Sequence, residues 1–139
     1  MNLRCPNGYR FHVVSTETEI SGYDITDAEP NEIVKTIKIE LRRTSDREMI
    51  GYVDLVWRPV GFWETHSYLD EAERGHGLGT LMYAKAIDTV LKRGSTVRSS
   101  ERTSDAAKQV WRSRGLNELF NITRKNDRFH VISRKTQRN

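Results

Sequence analysis

Residues 70–83 read DEAERGHGLGTLMY, with three glycines at alternate positions, Gly75, Gly77 and Gly79, between a strand-like run and a helix-like one. Glycine gives up more conformational freedom on folding than any other residue, so three within five positions mark a backbone that turns sharply or is approached closely. A loop of this kind opening a helix aims free backbone N–H groups at one point, with the positive end of the helix dipole behind them. It suits a phosphate. Two common phosphate loops do not fit. A Walker loop ends in Gly-Lys-Ser/Thr, whereas Gly79 is followed by Thr80 and Leu81. The dinucleotide pattern needs GxGxxG and an acidic residue about twenty positions on, whereas this loop is GxGxG and follows antiparallel-looking strands.

Upstream of the loop, Ile33, Ile37, Ile39 and Leu41 alternate with polar residues, so 33–43 reads as a half-buried strand. MIGYVDLVW (49–57) is apolar on both parities and reads as a central strand. After the turn Arg58-Pro59-Val60-Gly61 comes FWETHSYL (62–69), a third strand. Phe62, Glu64, His66 and Tyr68 share one of its faces, and Trp63, Thr65, Ser67 and Leu69 the other. FHVVS (11–15) reads as the first strand, and residues 16–32 as a loop, a short helical turn or a hairpin.

From Leu78 the period changes to that of an amphipathic helix, with Leu78, Met82, Ala86 and Val90 in one row and Tyr83, Ile87 and Leu91 in the next. Gly94 is its expected C-terminal cap. STVRSS (95–100) reads as a short strand. Thr103, Ser104 and Asp105 offer N-capping oxygens to a second helix with Ala106, Ala107, Val110 and Trp111 inward, ended by Gly115. NELFNITRKNDRFHVISR (117–134) reads as two strands in a hairpin around Lys125-Asn126-Asp127, and the tail 136–139 as loose. The expected fold is α+β, a mixed, mostly antiparallel sheet of six to seven strands flanked by helices.

At 139 residues the chain is expected to form one domain, 1–139, with a core that needs no disulfide or metal. A hydrophobic fraction of 36% and a mean hydropathy of −0.70 leave no run long enough to span a bilayer. MNLRCPNGYR lacks the continuous apolar region of a signal peptide, so the expected location is cytoplasmic. Cys5 is the only cysteine, and the four histidines lack ligand spacing, so no metal site is expected. Residues 1–97 carry a net charge of −3 and residues 98–139 carry +7, an imbalance that solvated surface or an anionic partner would explain.

Arg74-Gly75-His76-Gly77-Leu78-Gly79 resembles the Arg/Gln-x-x-Gly-x-Gly/Ala signature of the GNAT superfamily of acetyl-CoA-dependent N-acetyltransferases. Leu69-Asp70-Glu71 stands where that family ends its cofactor-binding fourth strand. Ala107, Gly115 and Leu116 fit its Ala-x-x-x-Tyr-x-x-x-Gly-Phe helix. The resemblance covers residues 33–132 in element order and implies that the cosubstrate is acetyl-CoA. The segment Gly75, His76, Gly77, Leu78, Gly79 and Thr80 would hold its pyrophosphate, with Arg74 adding a charge-assisted contact. The main chain near Tyr68 and Leu69 would pair with the pantetheine arm, and Ser104 stands where an asparagine often contacts it. The thioester would lie where the strand carrying Glu64 parts from the strand 97–99.

For catalysis the resemblance implies Glu64 as general base, with His66 on the same face, and a main-chain N–H near Leu69 polarising the carbonyl. The family's usual acid, a tyrosine, is here Trp111, and an indole cannot protonate a thiolate. Tyr68 or Tyr83 would then substitute, or the thiolate would leave unaided. Between its first two strands the family places two helices that wall the acceptor pocket, but here only 16–32 are available, with Pro30 among them, so that helical region is reduced. An open acceptor side favours an amine on a protein, which Asp24, Asp27, Glu29 and Glu32 would attract if basic. Two other readings compete. One is a GNAT-fold protein without catalysis, working as a binding or structural subunit. The other is a nucleic-acid binder using Arg112, Arg114, Arg124, Lys125, Arg128, Arg134 and Lys135. A homodimer through the edge of the C-terminal hairpin is expected by analogy alone.

Overall fold

The computed structural model describes residues 4–20 and 32–135. Asp24, Asp27, Glu29, Pro30 and the tail 136–139 lie outside the described residues.

The chain order is β1 (Tyr9–Ile20), β2 (Glu32–Arg43), β3 (Met49–Arg58), β4 (Phe62–Leu69), a 3-10 turn (Glu71–Glu73), α1 (Leu78–Leu91), β5 (Val97–Ser99), α2 (Asp105–Trp111), α3 (Arg114–Leu119), β6 (Phe120–Lys125) and β7 (Arg128–Arg134). The strands form one sheet in the order β1-β2-β3-β4-β5-β7-β6. Every neighbouring pair is antiparallel except β4 and β5, which α1 connects as a parallel crossover. β1 is longer than its apolar FHVVS core suggests, running in register with β2 from Tyr9↔Arg43 to Ile20↔Glu32. Within residues 16–32 the hairpin-like reading therefore holds as far as the described residues extend.

Alternation along the strands sorts the sheet into two unlike faces. Ile37, Ile39, Leu41, Val53, Leu55, Trp63, Val97, Phe129 and Val131 point to one side and are buried there against Leu78, Met82, Tyr83, Ile87 and Val90 of α1. Trp111 of α2 is stacked on Phe129 at 5.5 Å and meets Tyr83 edge-on at 5.3 Å, so α2 packs on that same face. The other face carries polar and aromatic side chains, among them a Lys38–Asp54 ion pair, with Lys38 also over the ring of Tyr52.

Three local expectations are corrected. Asn117–Leu119 is helical, because the Ser113 hydroxyl accepts the Leu116 N–H at 3.3 Å and Leu116 and Leu119, three apart, are both buried. Gly115 does not end α2, which stops at Trp111; it lies inside α3, where a Cβ would stand 3.2 Å from Thr80 Cγ2. Ala106 faces solvent rather than the core, since it falls one position away from the buried Ala107–Trp111 row. The hairpin turn is as expected: Asn126 and Asp127 both have positive φ, 52° and 61°, as a two-residue turn between twisted strands requires.

Candidate active site

The β4–β5 ladder is short. It pairs Trp63↔Val97, Glu64↔Arg98 and Thr65↔Ser99, and then the strands part. Beyond Ser99 the chain is drawn away by other partners: the Ser99 hydroxyl accepts the Phe129 N–H at 2.9 Å, the Ser99 carbonyl accepts from Arg128 Nε at 3.0 Å, and Thr103 Oγ1 donates to the Ser100 carbonyl. β4 continues to Leu69 paired with β3, and from His66 onward its other edge, the one facing β5, has no strand beside it among the described residues. A cleft of about 450 Å³ opens at this fork, within the range of small-molecule sites.

One end of the cleft is the glycine loop. Gly75 and Gly77 have φ of +86° and +78°, conformations that side-chain-bearing residues rarely adopt, and they turn the chain from β4 into α1. The first intrahelical bond runs from the Leu81 N–H to the Gly77 carbonyl, and Gly77 gives no side-chain cap, so the N–H groups of Leu78, Gly79 and Thr80 lack intrahelical acceptors. Arg74 donates to the Leu69 carbonyl at 3.1 Å and is the sole charged side chain lining the cleft among the described residues. An uncapped helix start beside a guanidinium fits an anionic group. Of the residues expected to bind the cosubstrate, Leu69, Arg74, Gly75, Gly77, Gly79, Thr80 and Ser104 line the cleft. His76 and Leu78 do not; Leu78 is in the core at 3% exposure and His76 faces solvent. Ser104 is the N-cap of α2, accepting the Ala107 N–H at 3.2 Å.

The opposite wall carries hydroxyls that the sequence did not single out as a pair. Tyr83 reaches across from α1 to share a 2.6 Å hydrogen bond with Ser67 on β4. Burial raises the Tyr83 phenol above its ordinary range, and the hydroxyls of Ser67 and Thr65 oppose that shift only in part. Tyr68 also borders the cleft, but its ring lies 6.0 Å from Tyr52 and its phenol is raised by the Asp70 carboxylate beside it. The indole N–H of Trp111 is buried with no hydrogen-bond partner among the described residues.

Glu64 does not line the cleft. It is buried in an ion cluster on the opposite face of the sheet, which bears no helix among the described residues. Arg58 reaches its Oε1 at 3.1 Å, His66 Nε2 lies 2.9 Å from the same atom, and Arg128 takes Oε2 at 2.6 Å. Burial would raise its pKa, but the hydrogen bond and charge of Arg58, with His66, outweigh it and hold the carboxylate below its ordinary range. Sequence spacing puts His66 beside Glu64; Arg128, 64 residues away, carries no such signal. Arg128 bonds both Glu64 on β4 and the end of β5, so it fastens the two strands at the point where they part. Other basic residues of the last third are also engaged: Arg114 with Glu118, Arg124 with Asp127, and Arg134 with Asp88.

Among the described residues no helix is long and apolar enough to cross a membrane. No curated protein matches the chain. Among solved structures, a protein from Klebsiella pneumoniae subsp. pneumoniae MGH 78578, described as an acyl-CoA N-acyltransferase, superposes with a TM-score of 0.53 at 16% identity, covering 86% of this chain and 94% of the other. A protein from Bordetella pertussis described as a GnaT-family acetyltransferase gives a TM-score of 0.41 at 18% identity, over 69% of this chain and 62% of the other. At such identities the first likeness speaks for the fold alone. The sequence model of the acetyltransferase (GNAT) family matches residues 9–116, which run from β1 into the first turn of α3 and take in the fork, the glycine loop and the cleft. The chain belongs to the GNAT acetyltransferase family.

Proposed function

We propose that the protein is an N-acetyltransferase that moves an acetyl group from acetyl-CoA to a primary amine. The observation that carries this reading is the joining of an uncapped helix N-terminus and a splayed strand edge in one cleft. The N–H groups of residues 78–80 and the Arg74 guanidinium would hold the diphosphate, and the open edge of β4 from Ser67 to Leu69 would pair with the amide-bearing arm. When bound, acetyl-CoA supplies an acyl carbon activated as a thioester.

The proton of the acceptor amine needs a base on the side from which the amine arrives. Glu64 is a poor choice, because two guanidiniums already occupy both of its oxygens. His66 is better placed. It is the first residue of β4 beyond the ladder on the helix-free face, its side chain is 47% exposed, and Glu64 holds its Nε2, leaving the other ring nitrogen for the amine. Glu64 then acts as a positioning residue for His66. The exposure of His66 supports an amine carried on a protein over one enclosed as a small metabolite.

Calorimetric titration of acetyl-CoA into the wild type and into Gly77→Glu tests the reading. Micromolar binding is expected for the wild type. A glutamate at φ +78° strains the loop and sets a negative charge at the anion end, so binding should fall at least a hundredfold. Absence of binding to the wild type overturns the assignment. Binding without acetyl transfer to any amine in a protein extract, followed by mass spectrometry, would favour a non-catalytic binding role.

A further inference from the structure

We infer that Tyr83 is the proton donor to the leaving thiolate, which assigns the acid to α1 instead of α2. The inference rests on the proposed acyl transfer and concerns what stands at the fork. Thr65 is the last residue of β4 paired with β5, and Ser67 is the next one on the helix-side face. The Tyr83 hydroxyl is bonded to Ser67 at 2.6 Å with Thr65 alongside, so it sits at the point where the strands begin to part. Tyr83 also lines the cleft.

The competing donors are each disposed of by geometry. Tyr68 has its phenol beside the Asp70 carboxylate, away from the helix-side wall. Ser67, Thr80 and Ser104 are alcohols, too weakly acidic to protonate a thiolate. Trp111 presents only an indole N–H, and its ring is packed edge-on to Tyr83 and stacked on Phe129. Arg74, the charged side chain of the cleft wall, is at the anion end, bonded to the Leu69 carbonyl. Burial keeps the Tyr83 phenol protonated at neutral pH, so the proton is present when it is needed.

The proton balance closes. As the amine nitrogen forms its bond to the acyl carbon it gives one proton to His66. The carbon–sulfur bond breaks, its electron pair stays on sulfur, and the Tyr83 O–H proton passes to that sulfur. The phenolate recovers a proton through Ser67 from water, and His66 returns one to water.

The test needs no acceptor. Coenzyme A and desulfo-coenzyme A, which lacks the thiol, are titrated calorimetrically into the protein between pH 6 and pH 9. A phenol donating to sulfur favours the thiolate, so across this range, which brackets the usual thiol pKa of about 8.5, the affinity advantage of coenzyme A should grow about tenfold. Tyr83→Phe should bind desulfo-coenzyme A as the wild type does and lose that growth. A pH-independent ratio in the wild type, or an undiminished growth in Tyr83→Phe, overturns the inference while leaving the acetyl-CoA assignment standing. Failure of both ligands to bind the wild type overturns the assignment itself. Where Tyr83→Phe does not fold, Ser67→Ala decides: growth cut at least threefold supports the phenol, and unchanged growth counts against it.

Discussion

At the scale of single residues, Glu64 holds the position expected of a base and is bound there in an ion cluster. Its two oxygens take Arg58, His66 and Arg128, and its side chain is 9% exposed, so removing the charge strips Arg58 of its carboxylate and leaves Arg128 with Glu101 alone, 3.7 Å away. Glu64→Gln should therefore lower stability by about 3 kcal/mol at pH 7. The sign with pH follows from the depressed carboxylate. A group whose folded pKa lies below its unfolded value, here 4.5, contributes fully above that value and loses its contribution as pH falls through the folded one. Denaturant melts of wild type and variant should differ most at pH 7 and converge below about pH 4.5. A gap that stays constant to pH 3 would show that the cluster is not what Glu64 contributes. If His66 is the base, His66→Gln should cut kcat about 10²–10⁴-fold while leaving the acetyl-CoA affinity within twofold, as separate rate and binding measurements would show.

At the scale of elements, the cleft exists because neighbouring pieces come very close without touching it. Gly51 on β3 sits opposite Leu69 at the end of β4, where a Cβ would stand 2.9 Å from the Tyr68 carbonyl oxygen and 2.9 Å from Leu69 Cδ1. A backbone oxygen cannot swing aside as a side chain does. Gly51→Ala should cost about 1–3 kcal/mol and displace the end of β4 that borders the cleft, so thermal unfolding and acetyl-CoA affinity should fall together. Ser104 makes a contrasting case. Its side chain caps α2 as well as lining the cleft, so Ser104→Ala should lose about 1 kcal/mol, and Ser104→Asp should keep the cap. A stability loss in the alanine variant that aspartate does not restore would count against the capping role. Elements of this kind were legible where periodicity is local. The three central strands, α1 and the hairpin follow from spacing alone, and α1 begins at Leu78 as its apolar rows predict. α3 was not legible, because six residues give less than two helical turns and Leu-Phe-Asn-Ile alternates like a strand.

At the scale of the whole molecule, the fork joins two surfaces of different character. Helices and an apolar core lie on one side of the sheet, and an ion cluster and polar side chains on the other. Which residues meet there depends on pairings distant in sequence. The glycine signature makes the loop end of the cleft legible from residues 74–79, whereas Arg128 with Glu64, and Tyr83 with Ser67, depend on strand order and on the crossover by α1. No spacing rule reports those contacts, and the proposed proton-handling roles rest on them. The arrangement also has a thermodynamic consequence. A ligand in the cleft would bridge β4, the loop, α1 and α2, elements from both layers, and would bind only when all four are in place. Ligand that binds the folded chain alone stabilises it by RT ln(1 + [L]/Kd), about 2.7 kcal/mol at a hundred times Kd. Acetyl-CoA should therefore raise Tm by several degrees along a logarithmic concentration curve, and Gly77→Glu should flatten that curve without abolishing the unfolding transition. Tyr83→Phe should keep the shift with acetyl-CoA in full, since its phenol is assigned to the leaving sulfur and not to holding the anion. Loss of the shift in Tyr83→Phe, with the fold intact by circular dichroism, would move Tyr83 from the chemistry into the binding of the cosubstrate.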